Sequence, residues 1–229
     1  MNQQRGCSGF KKFFGSWMDQ LHQLVHQLQS STALNDPNTQ QRLVHSVMSH
    51  FAEYYRVKAA SADVDVLNLF AAPWASTLER SLHWIAGWRP TTAFHLIYTE
   101  SSILFEAHIM DILRGVKTGD LGDLSPAQFR RVSELQCETV KEENRISNEL
   151  AEWQDSASDV MKSETDLEER IRQLVKVVKK ADDLRIKILV QLVDLLNPQQ
   201  AVEFMVAAAE LQFGVRAWGE YQDRQRGSL

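Results

Sequence analysis

Apolar residues recur at steps of three and four along most of the chain, which is the spacing of one face of an α-helix. The first helix is predicted to begin near Phe10, and its apolar stripe consists of Trp17, Leu21, Leu24, Val25 and Leu28. Asp36 and Pro37 predict the start of a second helix over about residues 38–60, because aspartate caps helix N-termini and proline suits the first helical position.

The middle of the chain predicts shorter helices that are separated by breaks. A break at Ser61 is followed by three predicted helices, over residues 63–70, 76–87 and 90–113. Residues 115–124 contain three glycines and two aspartates. Both residue types are common in turns, so this segment predicts a flexible loop.

The second half of the chain predicts two long helices joined by a short turn. The first follows a capping box, in which Ser125 and Gln128 flank a proline at the first helical position. After a turn near Ser158, a nearly strict heptad rhythm over residues 167–195 predicts the second. Long helices with a short connection pack antiparallel. The fold class predicted from the sequence is therefore an all-α bundle of about seven helices that includes this antiparallel pair.

The predicted helices form a single domain over residues 10–222, between flexible tails at 1–9 and 223–229. The last helix begins at Pro198, where Asn197 repeats the combination of a cap and a proline. The chain of 229 residues holds only 10 glycines and 5 prolines. So few turn-forming residues argue against an all-β fold with many hairpins.

Charge and cysteine content narrow the class of protein further. The net charge of −5 argues against a domain that binds the phosphate backbone of nucleic acids, so no direct contact with DNA is predicted. Cys7 and Cys137 lie far apart, as is typical of free thiols in a reducing compartment. No segment resembles a secretory signal or is apolar enough to span a membrane. We therefore expect a nuclear and cytoplasmic protein that does not enter a membrane.

The residues that carry chemistry do not form a catalytic or metal-binding pattern. His22 and His26 have the four-residue spacing that can hold a metal ion, but both lie on the solvated edge of the apolar stripe. Cys137 is adjacent to Glu138, whose negative charge disfavours the reactive thiolate. The sequence also lacks nucleophile elbows and glycine-rich phosphate loops. We therefore predict a protein that is not an enzyme, without catalytic residues or a metal site.

Two features of the sequence point to protein partners instead. Aromatic residues cluster near the N-terminus at Phe10, Phe13, Phe14 and Trp17, and exposed aromatic side chains are typical anchors of protein interfaces. Residues 170–187 are basic and amphipathic, which suits a calmodulin-like partner. Core packing of the aromatic residues, and a charged outer face on a bundle helix, are the alternatives that the residues leave open.

Several short motifs together resemble one known family. They are His50-Phe51-x-Glu53-x-Tyr55-Arg56-x-Lys58, Trp84-Ile85-x-Gly87-Trp88-Arg89-Pro90, Ala181-Asp182-x-Leu184-Arg185 and Trp218-Gly219. Over about residues 10–222 the chain is similar to the Delay of Germination domain of plants. The same domain forms the C-terminal part of the TGA-type bZIP transcription factors.

The resemblance implies a regulatory, non-enzymatic protein that acts in abscisic acid signalling and seed dormancy by binding type 2C protein phosphatases. In the dormancy regulators an N-terminal segment contacts the phosphatase, and it corresponds here to residues 12–17. Phe13, Phe14 and Trp17 are therefore the predicted partner-binding residues. A basic region and zipper are not expected ahead of the first helix, which only nine residues precede. A transcription-associated module that joins bZIP factors is the alternative, and self-association also stays open.

The resemblance also bears on a cofactor. Relatives have been linked to haem through two histidines that lie four residues apart in the last helix. Gln212 and Arg216 occupy those positions here, and neither is a good axial ligand for haem iron. The sequence therefore predicts no cofactor at this place. A helical core that senses haem or a lipid remains the alternative.

Overall fold

The computed structural model describes residues 3–32, 36–155 and 164–227, and these ranges form an all-α fold, as predicted. The described ranges contain eight α-helices, where the sequence predicts about seven. They are α1 (Gln3–Thr32), α2 (Pro37–Ala71), α3 (Thr77–Leu82), α4 (Thr92–Ala107), α5 (Ile109–Leu113), α6 (Pro126–Asp155), α7 (Glu164–Leu195) and α8 (Pro198–Gly227). The turn predicted near Ser158 lies outside the described residues.

Three helices begin at the caps that the sequence predicts. Ahead of α2, a carboxylate oxygen of Asp36 accepts a hydrogen bond from the backbone N–H of Asn38 at 3.1 Å. Ahead of α6, Ser125 and Gln128 each accept a hydrogen bond from the other's backbone N–H, at 3.2 and 3.0 Å, which is a complete capping box. Asn197 caps α8 in the same way. These caps satisfy N–H groups that have no partner within the helix.

Both ends of the helical domain extend further than predicted. α1 begins at Gln3 and not near Phe10, so most of the predicted N-terminal tail is helical. α8 continues to Gly227, beyond the predicted end at residue 222. The helical pattern is weak at both ends because the outer turns are polar, and polar turns carry no apolar periodicity for the sequence to show.

The break predicted at Ser61 is a kink four residues later. α2 continues to Ala71, and only Asp65 departs from helical geometry, with φ −155° and ψ 83°. The Asp65 side chain accepts a hydrogen bond from the backbone N–H of Asn68 at 3.0 Å, as a helix cap does. A short second helix therefore follows the break, as the sequence predicts, but Asp65 caps it and not Asp63.

The glycine-rich segment at 115–124, predicted as a flexible loop, is held against the core. Leu121 is fully buried and begins a 3₁₀ turn, Leu121–Asp123. Gly122 passes so close to α4 that a Cβ atom there would lie 2.7 Å from the backbone nitrogen of Phe105. Just before this segment, the single helix predicted over residues 90–113 is divided at His108 into α4 and α5.

The two long helices pack antiparallel, as predicted. The start of α6 meets the end of α7, where the side-chain amide of Gln128 donates to the backbone oxygen of Leu195 at 2.9 Å. The end of α6 meets the start of α7, where the Trp153 indole donates to the backbone oxygen of Arg170 at 2.8 Å. α2 packs against α1, α7 and α8. The largest apolar side chains that are fully buried include Leu21, Leu28, Phe94, Ile97, Leu192 and Phe204.

Candidate functional site

The turn between α3 and α4 is built around one buried guanidinium group, that of Arg185 on α7. Its Nε donates to the backbone oxygen of Trp88 at 2.6 Å, and Nη2 donates to the backbone oxygens of Trp84 and, at 2.9 Å, Ile85. Nη1 pairs with Asp182, one helical turn earlier, at 2.5 Å. The family-like motif at residues 84–90 therefore encloses a cation that is distant from it in sequence.

The backbone of this turn adopts a conformation that L-residues rarely use. Ile85 and Ala86 have φ values of 48° and 58°, in the left-handed region, where side chains are strained. At Gly87 a Cβ atom would lie 3.1 Å from Cζ of Arg185, so glycine allows the backbone to approach the guanidinium. The strain turns three carbonyl oxygens toward one cation, and the hydrogen bonds to Arg185 offset its cost.

A lysine joins the same buried network from α2. The Lys58 ammonium is 1% exposed, donates to the backbone oxygen of Ala86 at 2.7 Å and pairs with Asp182 at 2.8 Å. Burial lowers the pKa of Lys58 to about 8, and the Asp182 charge opposes that shift. The turn is thus fixed by two cations that share one carboxylate. Such a network is costly to break, since a lost partner leaves a buried charge.

An apolar cleft opens beside this turn, and we call it the Trp88 cleft. Its volume is about 120 Å³. Its apolar wall includes Trp17, Phe51, Leu96, Ile188, Phe204 and Met205, from five of the helices. Its polar residues are Tyr55, Arg89, Thr92, Arg185 and Gln212, and none of the described residues that line it is acidic.

A smaller chamber of about 70 Å³ lies next to the Trp88 cleft. The two spaces share six lining residues, among them Trp88, Tyr55 and Gln212. The smaller chamber is the more polar of the two, because Lys58, Glu79 and His83 also line it. Burial, and then the charges of Lys58, Arg185 and Arg80, lower the pKa of His83 to about 4, so His83 is neutral at neutral pH.

Gln212 and Arg216, the residues at the haem-linked positions of relatives, are engaged by a buried carboxylate. The Gln212 amide donates to Oε1 of Glu79 at 3.1 Å and accepts a hydrogen bond from the Trp88 indole. Arg216 lies 3.7 Å from the same Glu79 oxygen, and its guanidinium lies 5.2 Å from the centre of the Phe14 ring. An amide and a guanidinium do not ligate haem iron, so the residues at this place do not fit haem.

The three predicted partner-binding residues do not form a surface. Phe14 and Trp17 are buried in the core, and Phe13 is half-buried against it. Trp17 lines the Trp88 cleft, and its ring packs on α2. A docking anchor must be exposed, so this conformation does not support the prediction that Phe13, Phe14 and Trp17 anchor a partner. Core packing, the alternative, is what the structure shows.

The basic stretch at residues 170–187 does not form a free amphipathic helix either. Its apolar side faces the core of the bundle, with Leu174, Val178 and Ala181 buried. Of its cations, Lys179 pairs with Asp63 at 2.6 Å, and Arg170 and Arg185 are buried. The bundle therefore already covers the apolar side that a calmodulin-like partner needs, so this conformation does not support the prediction of such a partner on this stretch.

An exposed apolar surface lies on α5 and on Val116, which folds back onto α5, and the sequence analysis did not predict it. Ile109, Met110 and Leu113 fall within one side of α5, and Val116 follows, with its N–H bonded to the backbone oxygen of Asp111 at 2.9 Å. Met110 and Leu113 are 59% and 75% exposed. We call Ile109, Met110, Leu113 and Val116 the α5 ridge. In the sequence, the α5 ridge corresponds to an apolar run next to the glycine-rich segment at 115–124, and this combination could have indicated it.

The other candidates for chemistry remain separate in the structure. His22 stacks on Phe213, with ring centres 3.5 Å apart. Cys137 is a free, exposed thiol on α6. Within the described ranges, no group of three or more metal-ligating side chains comes together. No helix there is long and apolar enough to cross a membrane.

Comparison with known proteins identifies the fold as a shared domain. The family described as Seed dormancy control (DOG1) matches residues 20–99. Protein DOG1-like 4 of Arabidopsis thaliana is 30% identical, over 92% of this chain and 91% of its own length. Protein RESPONSE TO ABA AND SALT 1, also of Arabidopsis thaliana, is 26% identical, over 90% of this chain and 93% of its own length.

A second group of relatives carries the domain within longer proteins. Transcription factor TGA4 of Arabidopsis thaliana is 24% identical over 98% of this chain, and the match covers 57% of the transcription factor. The structure is thus a helical regulatory domain with a small apolar cleft, of a class found both in dormancy-related proteins and in transcription factors. The chain belongs to the DOG1 seed dormancy control family, which confirms the resemblance predicted from the sequence motifs.

Proposed function

We propose that this protein is a non-enzymatic regulator in abscisic acid signalling and seed dormancy, and that it acts by binding a type 2C protein phosphatase. The description of its family is seed dormancy control, and one relative is named for a response to abscisic acid and salt. These relatives are regulators by name, which supports a regulatory role and favours binding over catalysis. We place this role in the nucleus and the cytoplasm.

The observation that carries the binding proposal is the exposure of the α5 ridge. A soluble domain rarely exposes neighbouring large apolar side chains unless they contact a partner. Each residue of the ridge is more than 40% exposed, whereas Phe14 and Trp17 are buried. We therefore place the phosphatase contact on the α5 ridge and not at the N-terminal aromatic residues. Removal of such apolar surface from water is the main favourable contribution to most protein association.

The test compares two pairs of substitutions with a purified type 2C phosphatase by isothermal titration calorimetry. Met110→Asp with Leu113→Asp places charge on the α5 ridge, and we expect binding to weaken by about 100-fold. The matched control is Val64→Asp with Leu67→Asp on α2, a site that is equally exposed but consists of two large apolar residues where the α5 ridge has four. We expect this control to bind like the wild type. Equal binding by the ridge variant excludes this surface, and no binding by the wild type excludes the phosphatase as partner.

The TGA relatives favour one second candidate, a module that joins bZIP factors. Transcription factor TGA1 of Arabidopsis thaliana carries the domain over 96% of this chain. A domain shared with such factors can associate with their copy of it. Capture of TGA factors by this protein in the absence of phosphatase binding supports this candidate over the first.

A further inference from the structure

Independently of any protein partner, we propose that the Trp88 cleft binds a small molecule, a compact aromatic monocarboxylate. The ring occupies the apolar wall, and the carboxylate accepts a hydrogen bond from the Tyr55 hydroxyl. The cleft lies between α1, α2, α4, α7 and α8, away from the α5 ridge. Three properties carry this proposal: the size of the cleft, its unpartnered hydroxyl and the sign of its charges.

The size of the cleft sets the size of the ligand. It measures about 120 Å³, with a further 70 Å³ in the adjoining chamber. A cavity of about 150 Å³ lined by apolar side chains holds one benzene molecule. The two spaces together therefore accommodate one ring with a carboxylate. They leave no room for a long acyl chain or a porphyrin.

Most of the wall is apolar, which determines the body of the ligand. Phe51, Leu96, Ile188 and Phe204 provide aliphatic and aromatic surface. A ring that enters this space loses its contact with water and gains packing contacts, and both changes favour binding. Trp17 and Trp88 also line the cleft, so an occupied cleft changes tryptophan fluorescence.

The Tyr55 hydroxyl determines the polar end of the ligand. Tyr55 lines both spaces, and its hydroxyl has no hydrogen-bond partner among the described residues. Burial raises the pKa of Tyr55, so the hydroxyl stays protonated and offers a donor. This donor is thus free to bind a ligand, and an acceptor oxygen in the cleft can accept its hydrogen bond.

The charged residues in the wall select an anion over a cation. Both are arginines, Arg89 and Arg185, and no acidic side chain is among the described lining residues. Each arginine forms an ion pair with a carboxylate that does not line the cleft. Arg89 lies 3.1 Å from Glu143, and Arg185 lies 2.5 Å from Asp182. The adjoining chamber adds one cation, Lys58, and one carboxylate, Glu79. In the two spaces together, three cationic side chains therefore face one acidic side chain, and this balance favours an anion.

The experiment titrates the purified protein with sodium benzoate and follows tryptophan fluorescence and binding heat. We expect saturable binding with one site, and weaker binding of benzylamine and of palmitate. Tyr55→Phe removes only the donor, so we expect it to weaken benzoate binding by about tenfold and to have little effect on the binding of toluene, which has no acceptor atom. Ala208→Phe fills the cleft and is expected to abolish binding of all three ring compounds.

The matched control for Ala208→Phe is Ala207→Phe, one residue away on α8 and outside both spaces. If Ala208→Phe does not fold, Leu96→Trp fills the cleft from α4. The proposal is overturned by the absence of benzoate binding to the wild type at millimolar concentration. It is equally overturned by undiminished binding to a folded cleft-filling variant, or by benzylamine or palmitate binding as tightly as benzoate.

Discussion

Trp17 on α1 and His50 on α2 form a reciprocal pair. Their rings are parallel to within 5°, with centres 5.0 Å apart. The Trp17 indole donates to the backbone oxygen of His50 at 3.0 Å, and Nε2 of His50 lies 2.9 Å from the backbone oxygen of Trp17. The pair therefore joins two helices by stacking and by two hydrogen bonds. It explains why Trp17 is part of the core and not part of a docking surface.

Because Trp17 is buried and hydrogen-bonded, we expect Trp17→Ala to reduce the free energy of unfolding by about 3–5 kcal/mol. Urea denaturation followed by circular dichroism measures this change. Trp218→Ala is the matched control, since Trp218 is 59% exposed on α8. That control is expected to change stability by about 0.5 kcal/mol or less. Similar effects of the two substitutions would contradict the burial described here.

Two glycines in α8 are expected to respond to alanine in opposite directions. At Gly219 a Cβ atom would lie 2.7 Å from Cβ of Ser76 and 2.1 Å from its hydroxyl oxygen, so α8 and the start of α3 must separate. We expect Gly219→Ala to cost about 1–3 kcal/mol, the usual range for an overpacked contact. At Gly214 nothing lies within 4 Å, so Gly214→Ala is expected to stabilise the helix by about 0.5–1 kcal/mol.

Thermal melts of both glycine variants test this pair of predictions. The two sites lie on one helix and receive the same methyl group, so differences in helix propensity cancel between them. A stabilising effect at Gly219 would show that α3 and α8 do not approach as closely as the structure has them.

Arg185→Lys is expected to destabilise the protein although the charge is kept. A lysine ammonium is a point charge, and it cannot reach Asp182 and the backbone oxygens of Trp88 and Ile85 together. We expect a loss of about 2–4 kcal/mol in the free energy of unfolding, because carbonyl groups of the strained turn lose their donor. The exposed Arg145→Lys serves as control, with an expected change of about 0.5 kcal/mol or less. Equal losses of unfolding free energy in both variants would contradict the conclusion that Arg185 holds the turn in place.

Local chemistry made much of the fold predictable. Asp36, the Ser125 and Gln128 pair and Asn197 each cap the helix that they precede, and each cap depends on residues at most three positions apart. The periodicity that predicted the two long helices is also a local pattern, and the short connection between them predicted their antiparallel packing. What a few neighbouring residues determine can be inferred from a sequence.

The candidate site could not be predicted in this way, because its contacts join distant parts of the chain. Lys58 meets Asp182 across 124 positions, and Trp88 meets Gln212 across the same separation. A lysine that is 1% exposed violates the rule that charges lie outside, and no periodic pattern reveals it. Phe14 and Trp17 were misjudged for a related reason: the spacing of aromatic residues does not show which helix covers them.

His83 gives the protein a stability that depends on pH. Its pKa is about 4 in the folded state, against 6.5 for an unperturbed histidine, because it is partly buried beside Lys58 and Arg185. Between these values the unfolded chain binds a proton that the folded protein does not, so stability is lost as the pH falls through 6.5 towards 4. We expect His83→Gln to remove about 1–2 kcal/mol of the stability difference between pH 7.5 and pH 5. Urea denaturation of both proteins at the two pH values measures it, and parallel pH profiles would show that His83 titrates normally in the folded state.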